Sequence, residues 1–152
     1  MPTDKQELGR FGEERVVREC VCPHCKRDRT LVRLPPGFKC ADVVCDFCGY
    51  LAQVKTCTVR DVDVLPRSLL GGAWEPQRER IDAGTYIPLF VVAVTADRRS
   101  HAIYYLPPDL QRREMFIPRN PLSATAQRAG WTGFTIDLGT APLVKVPPKT
   151  IR

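Results

Sequence analysis

The chain has 152 residues, of which 43% are hydrophobic and 26% charged. This length accommodates one domain with a proper core and leaves little room for a second, so we expect a single domain over residues 1–152. A net charge of +6 and a pI near 9.1 favour an anionic partner over a neutral one, with nucleic acid as the first candidate.

The sequence predicts a cytoplasmic protein. It has no apolar run long enough to cross a membrane, so no membrane partner is expected, and its N-terminus, MPTDKQELGRFGEE, lacks a hydrophobic signal core. In a reducing compartment the seven cysteines are poor candidates for disulfides. Their paired spacing predicts thiolate ligands instead.

Residues 6–20 predict an amphipathic helix with one apolar face. Glu13 and Glu14 fall in the middle of this helix. Both carboxylates can face solvent; alternatively, Glu13 lies at the edge of an active site as an additional metal or water ligand. The apolar residues that share one helix face are Leu8, Phe11, Val16 and Cys20.

Four cysteines form a C-x2-C…C-x2-C set that is typical of a tetrahedral zinc site. The proposed ligands are Cys22, Cys25, Cys45 and Cys48. The zinc would be structural, because it would hold the tip of a hairpin while the chemistry occurs beside it. The spacing leaves open whether Cys20, Cys40 or Cys57 substitutes as a ligand.

The second cysteine pair lies between two predicted strands, Phe38–Val44 and Gly49–Thr56. Pro35, Pro36 and Gly37 predict a loop before the first strand. Alternate side chains of a strand share a face, so Gln53 and Lys55 point the same way, and Asp42 is expected roughly across from them.

This trio suits a metal-dependent nuclease. Asp42, the Gln53 side-chain carbonyl and the Val54 backbone carbonyl can supply three oxygen ligands to Mg²⁺, which polarises a phosphodiester. Lys55 would hold the attacking water or stabilise the transition state. The arrangement follows the logic of PD-(D/E)xK nucleases, with Ala41 and Gln53 replacing two motif residues. An ordinary surface strand also explains the short pattern, and Gln53 removes a negative charge that Glu13 would have to supply.

The remaining elements predict an α/β core. After a Gly71–Gly72 breaker, residues 73–82 predict a helix on which Arg80 either contacts phosphate or belongs to a solvated face. Residues 86–95 are apolar and β-branched, as in a central strand buried on both faces, and residues 101–107 predict a strand paired with it.

The region 108–128 is rich in proline and arginine and predicts an irregular surface segment, with Arg128 as a candidate DNA contact. Trp131 lies between Gly130 and Gly133, where it either anchors a core or stacks on a base. The tail predicts a short edge strand followed by disordered residues.

Several ordered motifs resemble the DpnI and Dam-replacing restriction endonuclease family. They are CPHC, the Ala41–Asp42 pair, CDFC, QVK and PLSATAQRAGWTGFTIDL. The likeness runs from about Glu13 to Leu138, and the segment from Ala73 to Ile81 also fits it.

This resemblance implies a PD-(D/E)xK fold, with a mixed sheet flanked by helices and an inserted four-cysteine zinc site. It implies an enzyme that cuts GATC when the adenine is N6-methylated. Asp42, Gln53 and Lys55 match the catalytic triad, Glu13 matches an acid on the first helix, and the four cysteines match the zinc ligands. The sequence departs from the family at Gln53, where an acid is usual, and we expect no winged-helix domain after residue 152.

The leading hypothesis is therefore a magnesium-dependent, zinc-stabilised endonuclease that restricts adenine-methylated double-stranded DNA, with Arg80, Arg128 and Trp131 as DNA contacts. The main alternative is a zinc-containing DNA-binding module that is catalytically degenerate at Gln53. An RNA-binding zinc ribbon is a third interpretation, for which the buried strands have no use. Since one site cuts one strand, a stable or transient homodimer is expected for double-strand cleavage.

Overall fold

A computed structural model describes residues 1–38 and 41–147 of the chain. The chain divides into two compact units. The first comprises Met1–Leu65, Ile87–Pro108 and Leu143–Arg152, and the second comprises Pro66–Tyr86 and Asp109–Pro142. The prediction of a single domain stays a prediction.

The fold is mixed α/β, with two α-helices and nine strands in the described residues. The helices are α1, Asp4–Glu19, and α2, Trp74–Asp82. The strands, in chain order, are β1 Leu31–Arg33, β2 Val43–Cys45, β3 Leu51–Thr58, β4 Ser68–Ala73, β5 Leu89–Val94, β6 His101–Leu106, β7 Phe116–Pro118, β8 Gly133–Asp137 and β9 Val144–Lys145. Short 3-10 turns cover Pro108–Leu110 and Arg113–Met115.

Helix α1 confirms the helix predicted at residues 6–20. It starts with a capping box, in which the Thr3 hydroxyl accepts the Gln6 N–H at 3.2 Å and the Gln6 side chain accepts the Thr3 N–H at 2.8 Å. Its inner face buries Gly12 and Val16. The reciprocal cap satisfies two backbone donors that a helix start otherwise leaves unpaired.

The first unit contains a six-stranded mixed sheet in the order β1-β2-β3-β5-β6-β9. Strands β3 and β5 are parallel, and the other neighbours are antiparallel. All six residues of β5 are buried, which confirms the predicted central strand. The predicted pairing with the next strand is also confirmed, since β5 and β6 are antiparallel neighbours. The neighbouring β3 carries the predicted motif residues.

The second unit contains α2 and a three-stranded antiparallel sheet in the order β4-β8-β7. The prediction that Gly71 and Gly72 break the chain is wrong, because both lie inside β4 beside a bulge between Leu70 and Ala73. A Cβ on Gly71 would lie 2.2 Å from the ring of Phe134, so this strand needs a residue without a side chain there.

Other boundaries differ from those predicted. Strand β2 begins at Val43, whereas the predicted strand Phe38–Val44 includes Lys39 and Cys40, which lie outside the described residues. Region 108–128 was predicted as irregular but contains β7. The predicted edge strand of the tail is confirmed as β9, and the disorder predicted after it falls on residues 148–152, also outside the described residues.

Neither helix of the described chain has the length and apolarity required to cross a bilayer.

Candidate active site and four-cysteine cluster

Asp42 directly precedes β2, where the β2–β3 hairpin holds both its backbone and its side chain. The register that pairs Val43 with Ala52 places Asp42 across from Gln53, as predicted. The Asp42 N–H donates to the Ala52 carbonyl at 2.9 Å. The Asp42 Oδ2 accepts the Val54 N–H at 2.8 Å, so the carboxylate is fixed against β3.

Strand β3 divides its polar groups between two edges. The Gln53 N–H donates towards β5, to the Pro88 carbonyl at 2.8 Å. The next N–H, that of Val54, donates in the other direction, to Asp42. Because the N–H and C=O of one strand residue point to the same edge, the Val54 carbonyl also points towards the edge where Asp42 lies.

Glu13 approaches Asp42 from α1. Gly12 lets the helix approach β3 closely, since a Cβ on Gly12 would lie 1.8 Å from the Thr56 Oγ1. Burial raises the pKa of Glu13 and the negative charge of Asp42 raises it further, while Arg33 and Arg10 lower it. The Asp42 carboxylate therefore opposes the ionisation of Glu13.

Lys55 is half-buried on β3, on the strand face that Gln53 shares. Burial lowers the pKa of its ammonium group, Asp42 opposes that shift, and Lys5 adds to it. Asp42 therefore acts electrostatically on both Glu13 and Lys55. Since Thr56 faces α1, alternation places Gln53 and Lys55 on the opposite face of β3 from Glu13, and Asp42 lies at the sheet edge between them.

Three predicted DNA contacts lie in the second unit. Arg80 is on α2 and donates to the Gln77 side chain at 3.2 Å. The Arg128 guanidinium lies 5.7 Å from the centre of the half-buried Trp131 ring, so these two residues are neighbours. The alternatives for Trp131 both stay open at this degree of burial.

The four predicted zinc ligands converge in the first unit. The Sγ atoms of Cys22 and Cys48 are 3.6 Å apart, those of Cys25 and Cys45 are 3.7 Å apart, and all four lie within 4.8 Å of one another. Tetrahedral zinc with Zn–S bonds of about 2.3 Å requires sulfur atoms about 3.8 Å apart. The donor set and its dimensions therefore fit one zinc ion.

The two C-x2-C segments have the same local structure. Lys26 and Gly49, which directly follow the second cysteine of each pair, have positive φ values of 64° and 80°. Each N–H donates to the carbonyl of the first cysteine of its pair, at 2.9 Å for Lys26 and 2.8 Å for Gly49. Two matching turns thus present the cysteine side chains to a common centre.

The thiol environments differ within the cluster. Burial raises the pKa of Cys22 to about 12. Burial also acts to raise the pKa of Cys45. The 3.2 Å hydrogen bond between its Sγ and the Thr30 Oγ1, in which the thiol donates, and hydrogen bonds with the Cys48 and Phe47 backbone lower that pKa to about 6. The surroundings therefore favour ionisation of Cys45 over that of Cys22.

The other cysteines lie apart from this cluster. Cys20 is buried, and Cys57 donates to the Val92 carbonyl at 3.7 Å, with burial raising its pKa to about 11. Cys40 lies outside the described residues. Within residues 1–38 and 41–147, the four-cysteine cluster is the only group of three or more His, Cys, Asp or Glu residues placed to hold one metal ion.

Sequence reasoning missed two arginines beside Asp42. Arg10 and Arg33 line the same cavity as Glu13 and Asp42, and Arg33 Nε lies 3.6 Å from Glu13 Oε1. The spacing of Arg10 three residues before Glu13 placed both on one helix face. No local pattern indicated Arg33, because its position depends on how β1 pairs with β2.

Comparison with known protein families matches residues 3–146 to the family described as DpnI, Dam-replacing family. The matched range contains Glu13, Asp42, Gln53 and Lys55, the four clustered cysteines, all of the second unit and most of the first. The chain therefore belongs to the DpnI, Dam-replacing family.

Proposed function

We propose that the protein is a metal-dependent DNA endonuclease with a PD-(D/E)xK active site formed by Asp42, Gln53 and Lys55. Membership of the DpnI, Dam-replacing family indicates a restriction-type endonuclease that acts on methylated DNA. The observation that carries the proposal is the position of Asp42, which accepts the Val54 N–H at 2.8 Å and acts electrostatically on Lys55.

The oxygen atoms around Asp42 suit Mg²⁺. The Val54 N–H occupies Oδ2 of Asp42 and leaves Oδ1 for a metal ion, while the Val54 carbonyl points to the same edge. Gln53 adds a neutral amide oxygen, and Glu13 adds a second carboxylate whose repulsion with Asp42 a divalent cation relieves. When bound, Mg²⁺ polarises the phosphodiester and lowers the pKa of a coordinated water.

The chain's own groups then orient the reaction. The Val54 N–H fixes the rotation of the Asp42 carboxylate, so its free oxygen keeps one direction. Lys55 directs its ammonium protons to the attacking water or to charge that develops on phosphate oxygens. Partial burial of Lys55 excludes competing solvent from that hydrogen bond.

Zinc has a separate, structural role in this proposal. Its four thiolate ligands leave no open position for a substrate or water. The cluster ties the turn after α1 to the β2–β3 turn, since Cys22 and Cys25 precede β1 and Cys45 and Cys48 lie between β2 and β3. It thereby supports the hairpin that carries Asp42.

The proposed substrate is double-stranded DNA with N6-methyladenine, such as methylated GATC. The net charge of +6 favours this polyanion. Arg80 and Arg128 are proposed phosphate contacts, and Trp131 is a proposed base contact in the second unit. A homodimer is proposed for cleavage of both strands.

Gln53 supports a second candidate, a DNA-binding module without cleavage activity. A PD-(D/E)xK site normally has an acid at this position, and an amide binds a divalent cation more weakly. Glu13 favours the nuclease, because it brings a second carboxylate within electrostatic reach of Asp42 from the α1 side of β3.

The decisive experiment compares plasmid grown with adenine methylation and the same plasmid grown without it, each incubated with and without Mg²⁺. Magnesium-dependent cleavage of the methylated plasmid alone, abolished by Lys55→Ala, is the expected result. Cleavage of both plasmids would retain the nuclease and remove the methylation preference. DNA binding without cleavage would instead support the binding module.

A further inference from the structure

The cavity beside Asp42 has a volume of about 640 Å³ and contains two arginines that the proposed mechanism does not use. Arg10 and Glu13 face it from α1, Arg33 from the end of β1, and Asp42 from the residue before β2. The cavity is therefore a site where anionic and cationic side chains meet around the proposed metal ligands. Its apolar and proline-rich wall includes Pro2, Leu34, Pro35, Pro36 and Phe38.

Arg33 is held close to Asp42 by backbone hydrogen bonds. It pairs with Val43 across β1 and β2, and the next N–H, that of Leu34, donates to the Asp42 carbonyl at 2.8 Å. The same strand pairing therefore fixes the backbone positions of both Arg33 and Asp42.

The ion pair between Arg33 and Glu13 is loose. Arg33 Nε lies 3.6 Å from Glu13 Oε1, longer than the roughly 2.7–2.9 Å of a strong charge-assisted hydrogen bond. The Arg33 side chain is 33% exposed and that of Glu13 is 20% exposed, so both can reach a ligand in the cavity. Arg33 lowers the pKa of Glu13, so the pair is formed, but the long contact leaves the guanidinium able to turn to a ligand in the cavity.

The charges in the cavity make a bound cation and Arg33 compete for the Glu13 carboxylate. Its described lining carries three carboxylates, Glu7, Glu13 and Asp42, and two guanidiniums, Arg10 and Arg33. This surplus of one negative charge disfavours phosphate, whereas a divalent cation on Glu13 and Asp42 would give a surplus of one positive charge. The cation and Arg33 compete for the same Glu13 carboxylate.

We propose that Arg33, assisted by Arg10, binds a phosphate of the DNA strand beside the cleavage position and pairs with Glu13 only in the metal-free protein. When a divalent cation takes the carboxylates, the guanidinium is released towards phosphate, to which it can donate two parallel hydrogen bonds. This inference rests on the proposed nuclease function.

The test measures metal and DNA binding separately in Arg33→Gln. Mn²⁺ affinity without DNA is measured by calorimetry, and affinity for a methylated duplex is measured with Ca²⁺ in place of Mg²⁺. We expect Arg33→Gln to bind Mn²⁺ about threefold to tenfold more tightly, because a competing positive charge is removed. We expect it to bind DNA about tenfold more weakly and to lower the slope of affinity against salt by about one.

Arg15→Gln is the matched control. Arg15 also pairs with a glutamate on α1, Glu19, at 3.9 Å, but it does not line the cavity. It should leave the affinity for Mn²⁺ unchanged. Arg33→Lys should restore part of the DNA affinity, since it keeps the charge without the planar fork.

Arg10→Gln tests the inference even if Arg33→Gln folds poorly. Arg10 is exposed on a helix surface, so its replacement should not disturb folding. Weaker DNA binding with retained zinc content is expected. Unchanged Mn²⁺ and DNA affinities in Arg33→Gln and Arg10→Gln would overturn the inference, as would weaker Mn²⁺ binding in Arg33→Gln, which would make Arg33 a support for Glu13. If the unmodified protein neither binds Mn²⁺ nor cleaves DNA, the proposed function fails as well.

Discussion

Lys55 combines a proposed catalytic role with a cost to stability. Its folded-state pKa is lowered from 10.5, by burial first, so the charged form is disfavoured in the folded protein. Below its folded-state pKa the lysine is charged in both states and the full cost applies. As pH rises from the folded pKa towards 10.5, the folded lysine loses its proton first and the cost declines.

Lys55→Met is therefore expected to abolish cleavage while raising the free energy of unfolding by about 1 kcal/mol near neutral pH. This gain should shrink as the pH approaches 10.5. Chemical denaturation at both pH values measures it, with the exposed Lys26→Met as the control. A less stable Lys55→Met protein would mean that attraction to Asp42 outweighs burial.

Replacing Gln53 with glutamate measures how much metal affinity the site loses by having an amide where an acid is usual. Gln53→Glu places a carboxylate across from Asp42 and increases the negative charge available to a divalent cation. We expect Mn²⁺ affinity to rise about tenfold, equivalent to about 1.4 kcal/mol. Gln127→Glu adds the same charge at an exposed position of the second unit and should have no effect. Equal Mn²⁺ affinity in Gln53→Glu and the unmodified protein would exclude Gln53 as a ligand.

At the scale of elements, the contact between α1 and β3 places Glu13. A Cβ on Gly12 would overlap the Thr56 Oγ1, whereas one on Gly9 would meet only Glu13 Oε2, at 3.9 Å. Gly12→Ala should therefore lower the free energy of unfolding by about 1–3 kcal/mol and reduce cleavage. Gly9→Ala should instead be neutral or stabilise α1 by up to about 1 kcal/mol.

A second substitution separates the clash from other effects of Gly12→Ala. Thr56 Oγ1 is buried and makes no hydrogen bond within the described chain, so Thr56→Ala removes the obstacle without losing a partner. The double variant should recover most of the stability and cleavage in thermal unfolding and plasmid assays. If the double variant is as unstable and inactive as Gly12→Ala, the defect arises within helix α1 and not from the clash with Thr56.

The zinc cluster supports a different element, the β2–β3 hairpin. Cys25→Ser should remove one zinc ion per chain and lower the melting temperature by about 10 °C, because structural zinc contributes folding free energy. Cys57→Ser is the matched control, since its thiol lies outside the cluster. Metal analysis and calorimetry measure both effects. Full zinc content in Cys25→Ser would show that another group serves as the ligand.

Elements with one dominant pattern could be predicted from the sequence. Helix α1 has a clear apolar period, and β5 is a continuous apolar run that is buried throughout. Strand β1 could not be predicted, because its three residues are mostly exposed and depend on pairing with β2. Strand β4 was missed because two glycines usually interrupt strands, whereas here the Phe134 ring requires Gly71.

In the candidate site, only the residues that are close together in sequence could be predicted. The order of Asp42, Gln53 and Lys55 on a hairpin is a local feature, and the register between β2 and β3 follows from the short turn. The approach of Glu13 depends on how closely Gly12 lets α1 dock on β3. Arg33 depends on an additional strand pairing, so its ion pair with Glu13 was beyond local pattern analysis.

At the scale of the whole molecule, the chain carries 23 basic and 17 acidic side chains. This surplus suits a DNA ligand, but it also means that much of the affinity is expected to come from phosphate contacts, which weaken as salt rises. Measurements of methylation preference are therefore meaningful only at a fixed salt concentration.

One chain offers one proposed active site, centred on Asp42 and Lys55, whereas a duplex has two strands. If a transient homodimer cuts both strands, nicked plasmid should accumulate at low protein concentration and linear product should form directly at high concentration, since pairing follows mass action. Gel analysis of a methylated supercoiled plasmid over a range of protein concentrations measures this ratio. Adding an excess of Lys55→Ala protein should then increase nicking, because mixed dimers carry only one active site. A product ratio that is independent of both protein concentration and added variant would contradict the homodimer and indicate sequential cuts by a monomer.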